Sequence, residues 1–192
     1  MTGEITVHGT YDPKFAGVIE AFASNFDEGD NQDIGASFAA TIEGEMVVDI
    51  WAGHADVAKT RPWEQDTIVN AWSVTKAMVV TCAHMLVDRG LLDLEAPVSR
   101  YWPEFAQAGK ENMPVKWLLT HQSALSRLAG DMLPVEATYD WDMMIKRLEQ
   151  QEPLWEPGTN SGYHSVTFGF LVGEVISRVS GKSVGTFLTE EV

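Results

Sequence analysis

The chain has 192 residues, of which 45% are hydrophobic and 21% are charged. These fractions are those of a globular protein and exclude a disordered or fibrous chain. The length corresponds to about one domain, at roughly 150 residues per domain. Acidic residues outnumber basic ones by 28 to 13, which gives a net charge of −15. Because phosphate backbones and anionic lipids repel such a surface, we expect neither a nucleic-acid partner nor a membrane partner.

Hydrophobic spacing predicts a helix and a hairpin in the first third of the chain. Apolar residues recur at the helical period along residues 13–26, which predicts an amphipathic helix there. Two runs rich in β-forming residues, 37–42 and 46–51, flank a short turn that contains Gly44. Such a pair of runs is typical of an antiparallel hairpin.

The rest of the chain is mostly helical by the same criterion. Its strongest segment, residues 73–89, is almost wholly apolar, which predicts a helix that is buried on every side. Gly90 follows directly, at the position where glycine commonly ends a helix. Shorter patterns predict further helices at 114–120, 141–150, 165–179 and from 184 onward, the last one capped by Ser183.

This order of elements predicts two parts of the chain and an unfinished sheet. Residues 1–70 carry the first helix and the hairpin, and residues 71–192 form a mostly helical region. Two strands alone make a marginal sheet, and the last helical pattern reaches Val192 with no capping residue after it. We therefore expect C-terminal strands to be absent. Either the chain is the N-terminal portion of a longer protein, or a complementary chain or a second copy completes the fold.

The N-terminus and the single cysteine bear on the compartment. Residues 1–8 contain no basic segment followed by an apolar run, and no apolar stretch is long enough to span a bilayer, so neither a signal peptide nor a membrane helix is expected. Cys82 is the one cysteine of the sequence, which excludes an internal disulfide. We expect a cytoplasmic protein.

The first candidate for chemistry is the tetrad Ser73-Val74-Thr75-Lys76 at the start of the apolar helix. Residues three apart share a helix face, so the Lys76 amine can reach the Ser73 hydroxyl. The unpaired N–H groups and the dipole at a helix start stabilise a developing negative charge. These are the elements of an activated serine nucleophile. The alternative is structural, with Ser73 as a helix cap and Lys76 extending to solvent.

A second candidate is the turn-rich loop at residues 157–165, which contains Tyr163. Loops held between rigid elements often present functional side chains, and a tyrosine can donate or accept a proton beside a serine and lysine pair. The alternative is a loop aromatic packed on the core, with Ser165 capping the next helix.

Other motifs are missing or dispersed. No H-E-x-x-H or phosphate-binding loop occurs, and the five histidines are too scattered for a metal site, so we expect no metal, nucleotide or other cofactor. His121 is expected to bond to a turn. His164 either packs within its loop or tunes the pocket beside Tyr163.

Taken together, these residues resemble the serine β-lactamase and penicillin-binding-protein superfamily, in particular its class C-like esterase branch, the family VIII carboxylesterases. The tetrad follows Trp72 and opens an apolar helix, as it does in that branch. Further segments that match the family are 92–98, 101–103, 115–125 and 156–163. The resemblance as a whole covers about residues 30–190. Only the N-terminal part of the family's chain is represented.

The resemblance implies a fold and roles for individual residues. The fold would be α+β, of the β-lactamase-like or transpeptidase-like type. It would have an antiparallel sheet flanked by helices plus a mostly helical region, with the sheet incomplete in this chain. Ser73 would accept the acyl group, Lys76 and Tyr163 would take and return its proton, and the Ser73 N–H would supply half of the oxyanion hole. The substrate pocket would be lined by Trp72, His164 and Ser165.

Departures from the family pattern bear on the substrate. The second motif of β-lactamases is Tyr-x-Asn, whereas this chain has Tyr163-His164-Ser165. Loss of the Asn amide removes a donor that positions the substrate, which favours esters over β-lactams. Ala124 stands where glycine is usual, and the third motif, on a C-terminal strand in the family, has no counterpart here.

The sequence therefore predicts a serine carboxylesterase that cleaves small-molecule esters through an acyl-enzyme on Ser73. One alternative is a β-lactamase or D-amino-acid peptidase of the same superfamily. An alternative of another class is a catalytically incomplete fragment that folds and works only with a complementary chain.

Overall fold

The computed structural model describes residues 5–27, 29, 32–130 and 134–192. The chain divides into two compact units, Met1–Asn70 and Ala71–Val192. Each unit has its own hydrophobic cluster, and each is described by itself below. No helix among the described residues is long and apolar enough to cross a membrane.

The first unit contains an antiparallel sheet of three strands: β1 (His8–Tyr11), β2 (Gly35–Ile42) and β3 (Glu45–Gly53). Their order is β1-β3-β2, with His8 opposite Trp51 and Phe38 opposite Ile50. The predicted hairpin of β2 and β3 is confirmed. Strand β1 was not predicted, because its four residues show no alternation of polar and apolar side chains; all four are exposed.

One helix packs on this sheet. The predicted segment begins as a 3₁₀ turn, Pro13–Phe15, whose N-terminal cap is the Asp12 side chain, and continues as α1 (Ala16–Ser24). Phe22 and Phe26, from the predicted stripe, are buried with residues of β3. Burial of large apolar side chains on one face of the sheet holds α1 in place.

The second unit is helical in its described residues. Its α-helices are α2 (Thr75–Asp88), α3 (Val115–Leu119), α4 (Trp141–Gln150), α5 (Thr167–Ser180) and α6 (Val184–Glu191), joined by short 3₁₀ turns. Helix α5 is central to the core, with one apolar face buried along most of its length. Gly181 ends α5 in the left-handed conformation at φ 73°, and the Ser183 side chain caps α6 as predicted.

The burial of α2 differs from the prediction. Cys82, Ala83 and Leu86 are buried, but Val74, just before the helix, and Met78, on its open face, are 67% and 40% exposed. The expectation of a helix buried on every side is therefore wrong for this chain. An all-apolar helix has two faces to cover, and here α5 and α6 pack on one of them.

Candidate active site

The Ser73 tetrad lies where a tight turn becomes a helix. Trp72–Val74 form a 3₁₀ turn, α2 starts at Thr75, and Lys76 is in the first turn of the helix. Trp72 has φ 46°, a left-handed conformation that is uncommon outside glycine and costs on the order of 1–3 kcal/mol. This strained residue directly precedes Ser73, at the place where the backbone enters the helix.

The Lys76 ammonium is the centre of the site. It donates to the Ser73 hydroxyl over 3.2 Å and to the carbonyl oxygen of Ser165 over 2.9 Å. It also lies 4.9 Å from the centre of the Tyr163 ring and 5.7 Å from that of Phe168, both within the range of a cation–π contact. One side chain thus joins the start of α2 to residues about ninety positions further along the chain.

Tyr163 completes the group. Its side chain is 57% exposed. Hydrogen bonds with Ser73 and Lys76, with a smaller contribution from the positive charge of Lys76, lower the pKa of the phenol. The structure therefore brings together three residues that the sequence analysis singled out: a hydroxyl, an ammonium and a phenol whose proton is more readily lost. A cluster of this kind can pass a proton to and from an attacking oxygen.

His121 lies behind the Tyr163 ring, in the loop that follows α3. The centre of its imidazole is 5.0 Å from that of Tyr163, 5.2 Å from that of His164 and 5.1 Å from that of Phe168. Its Nδ1 accepts a hydrogen bond from the His164 backbone N–H over 3.2 Å. Burial, followed by the charge of Lys76, lowers the pKa of the imidazole. The expected bond between His121 and a turn is therefore present, and it lies next to Tyr163.

His164 is placed differently from the prediction that it lines the substrate pocket. Its side chain is fully buried, with Nδ1 2.6 Å from the carbonyl oxygen of Gly162 and Nε2 2.7 Å from the hydroxyl of Ser123. Because a carbonyl oxygen only accepts, Nδ1 carries the proton, and Nε2 accepts from Ser123. Burial lowers the pKa of this imidazole. In the described chain, His164 therefore stabilises its loop through these two buried hydrogen bonds, and its side chain does not face solvent.

Trp72 and Ser165, the other two predicted pocket residues, are both exposed. Ser165 does not cap the next helix, because α5 begins at Thr167 and the N-cap position is Val166, with no side-chain capping bond. The contact that Ser165 makes with the site is its backbone carbonyl on Lys76.

Ser123 and Phe168 were not among the predicted site residues. Ser123 is separated from His164 by 41 positions, and no local pattern signals a contact over that distance. Phe168 belonged to the predicted apolar stripe of the helix at 165–179, which gave no indication that its ring also faces Lys76.

Comparison with known proteins identifies the family to which this site belongs. Residues 21–192 match the family model described as Beta-lactamase. The chain belongs to the beta-lactamase family. The resemblance seen in the sequence and the α+β fold class are thereby confirmed.

Named relatives include both esterases and a penicillin-binding-protein homologue. Esterase/beta-lactamase LipL of Mycobacterium tuberculosis is 39% identical over 97% of this chain and 42% of its own length. The crystal structure of a family VIII carboxylesterase is 45% identical with a TM-score of 0.88, covering 98% of this chain and 51% of that one. A penicillin-binding-protein homologue from Caulobacter crescentus is 41% identical with a TM-score of 0.90, covering 97% and 50%. The chain thus spans about half the length of these relatives.

Proposed function

We propose that this beta-lactamase family chain carries the nucleophilic serine of an esterase, and that the reaction passes through an acyl-enzyme on Ser73. The observation that carries the proposal is the 3.2 Å hydrogen bond from Lys76 to the Ser73 hydroxyl, with the Tyr163 ring centred 4.9 Å from the same ammonium and the pKa of its phenol lowered. An ammonium held against the nucleophilic hydroxyl, with a phenol of lowered pKa beside it to take the proton, is an arrangement that can activate a serine.

The reaction has two steps. Ser73 Oγ attacks the ester carbonyl carbon as its proton moves to the Lys76–Tyr163 pair, and collapse of the tetrahedral intermediate breaks the bond to the alcohol. The departing alcohol takes the proton, leaving an acyl group on Ser73. Water then attacks the acyl carbon, assisted by the same pair, and the carboxylic acid leaves with the serine restored. The Ser73 backbone N–H supplies one donor to the oxyanion.

The preference for esters is supported by the group that replaces the asparagine of the lactamase motif. Ser165 offers Lys76 its backbone carbonyl, which only accepts hydrogen bonds. The side chain here is a short serine hydroxyl, whereas an asparagine side chain would reach further and donate from its NH2 group to an amide-containing substrate. One similar protein supports the same direction, since it is titled a family VIII carboxylesterase; another is named for both activities, as an esterase and beta-lactamase.

The test compares hydrolysis of 4-nitrophenyl butyrate with that of nitrocefin, a chromogenic β-lactam, by the purified protein. We expect a higher kcat/KM for the ester and its loss by at least about a thousandfold in Ser73→Ala. Ser161→Ala is the matched control, because this exposed serine lies two residues from Tyr163 and should leave the rate unchanged. Faster hydrolysis of nitrocefin would overturn the ester preference, and undiminished turnover in Ser73→Ala would overturn the nucleophile.

A further inference from the structure

His121 makes two hydrogen bonds that bracket Tyr163. The backbone N–H of Gly162, the residue before Tyr163, donates to the carbonyl oxygen of His121 over 3.0 Å. The backbone N–H of His164, the residue after it, donates to Nδ1 of His121 over 3.2 Å. His121 therefore binds the backbone of the residues directly before and after Tyr163. The His121 ring also packs against the Tyr163 ring.

The backbone of His121 has an uncommon conformation at the position from which both hydrogen bonds are made. Its φ is 61°, in the left-handed region that residues other than glycine rarely adopt and that asparagine tolerates better than most. Strain of this kind persists where the surrounding structure enforces it, and it is concentrated at functional sites. The neighbouring loop adds a further bond, from the Gly158 N–H to the Gln122 carbonyl at 2.9 Å.

We infer that His121 is the positioning residue for the Tyr163 phenol, acting through its Nδ1 as a hydrogen-bond acceptor. This inference rests on the proposed function, in which Tyr163 shares the proton of Ser73. The titratable groups around the phenol are Lys76 on α2, His121 on the loop after α3 and the adjacent buried His164. An imidazole whose Nδ1 accepts a hydrogen bond from a backbone N–H carries no proton on that nitrogen and is therefore neutral. Burial and the charge of Lys76 both lower the pKa of His121, which favours the same neutral form.

Two substitutions separate the acceptor from the backbone strain. His121→Gly adopts the left-handed conformation freely but has no acceptor. His121→Asn also tolerates that conformation and places an amide oxygen near the position of Nδ1. His84→Asn, at an exposed histidine of α2, controls for loss of an imidazole.

The readout is the rate at which a fluorophosphonate probe modifies Ser73, measured across pH. We expect a reduction of about 10- to 100-fold in His121→Gly, because small misplacements of a catalytic group cost rates of that order. The limb of the profile that reports the Lys76–Tyr163 pair should move to higher pH, since a displaced phenol loses the hydrogen bonds that lower its pKa. His121→Asn should stay within about threefold of wild type, as should His84→Asn.

The inference is overturned if His121→Gly keeps the wild-type rate and pH profile, or if His121→Asn loses as much as the glycine variant. A second measurement needs no variant: nitrogen NMR of the histidine side chains should show an unprotonated Nδ1 on His121 coupled to the amide of His164. A protonated Nδ1 would refute the inference. Absence of any Ser73 adduct in wild-type protein would instead refute the proposed function, so the two failures are distinguishable.

Discussion

The fully buried Lys110 makes the stability of this protein depend on pH in a predictable way. Its ammonium donates to the carbonyl oxygens of Glu149 and Gln151 over 2.9 and 2.6 Å, at the C-terminal end of α4. It also lies 5.3 Å from the centre of the Phe105 ring. Removal from water lowers the pKa of Lys110 from 10.5 to about 8, against the opposing effect of Glu149 and Glu152.

The sign and size of the effect follow from the two pKa values. Between pH 8 and 10.5 the folded protein has released a proton that the unfolded chain still holds, so the free energy of unfolding rises with pH. A difference of about 2.5 pKa units corresponds to about 3 kcal/mol. Below this window both states bind the proton, and the contribution of Lys110 to the pH dependence vanishes.

Urea unfolding on either side of the window measures this rise. Lys110→Met should remove it, because methionine has similar length and no titratable group. The variant also leaves two carbonyl groups without their donor, at a cost that does not vary with pH. Lys146→Met, at an exposed lysine of α4, is the control and should follow wild type. An identical pH dependence in wild type and Lys110→Met would refute the reasoning.

Two further predictions concern the loops that support the site. Gly158 and Gly109 have similar positive φ values, 81° and 78°, but a Cβ at Gly158 would collide with the Trp117 ring while one at Gly109 meets nothing. Gly158→Ala should therefore lower the free energy of unfolding by about 1–3 kcal/mol more than Gly109→Ala; equal losses would contradict the collision. Ser123→Ala leaves the buried Nε2 of His164 without its donor and should cost about 1–3 kcal/mol in urea unfolding, whereas an unchanged midpoint would show that the bond is unimportant.

Local patterns predicted the elements whose signals lie within one segment. The hairpin of β2 and β3 and the helices α4 and α5 were found from periodicity, because each buries one side of a regular pattern. The start of α5 was placed two residues early, because Ser165 looks like a cap but its backbone carbonyl instead faces Lys76.

Contacts between distant segments were beyond the reach of such patterns. The spacing of Ser73 and Lys76 predicted their hydrogen bond, because three residues make about one helical turn. Tyr163 became a candidate because a turn-rich loop presents it, and the family resemblance gave it a role beside Ser73 and Lys76, since no period relates it to α2. The bonds from His121 and Ser123 to His164 span 43 and 41 positions and depend on tertiary packing alone.

Intact-mass spectrometry after reaction with a fluorophosphonate probe tests most directly whether Ser73 is the nucleophile. The measurement requires only that the serine oxygen attacks the probe; it does not require the enzyme to complete a catalytic cycle. We expect a single adduct on wild-type protein and on the exposed-serine control Ser161→Ala, and none on Ser73→Ala. An adduct that persists in Ser73→Ala, or a wild-type protein that is never modified, would contradict the assignment of Ser73, Lys76 and Tyr163 as a nucleophile and its proton relay.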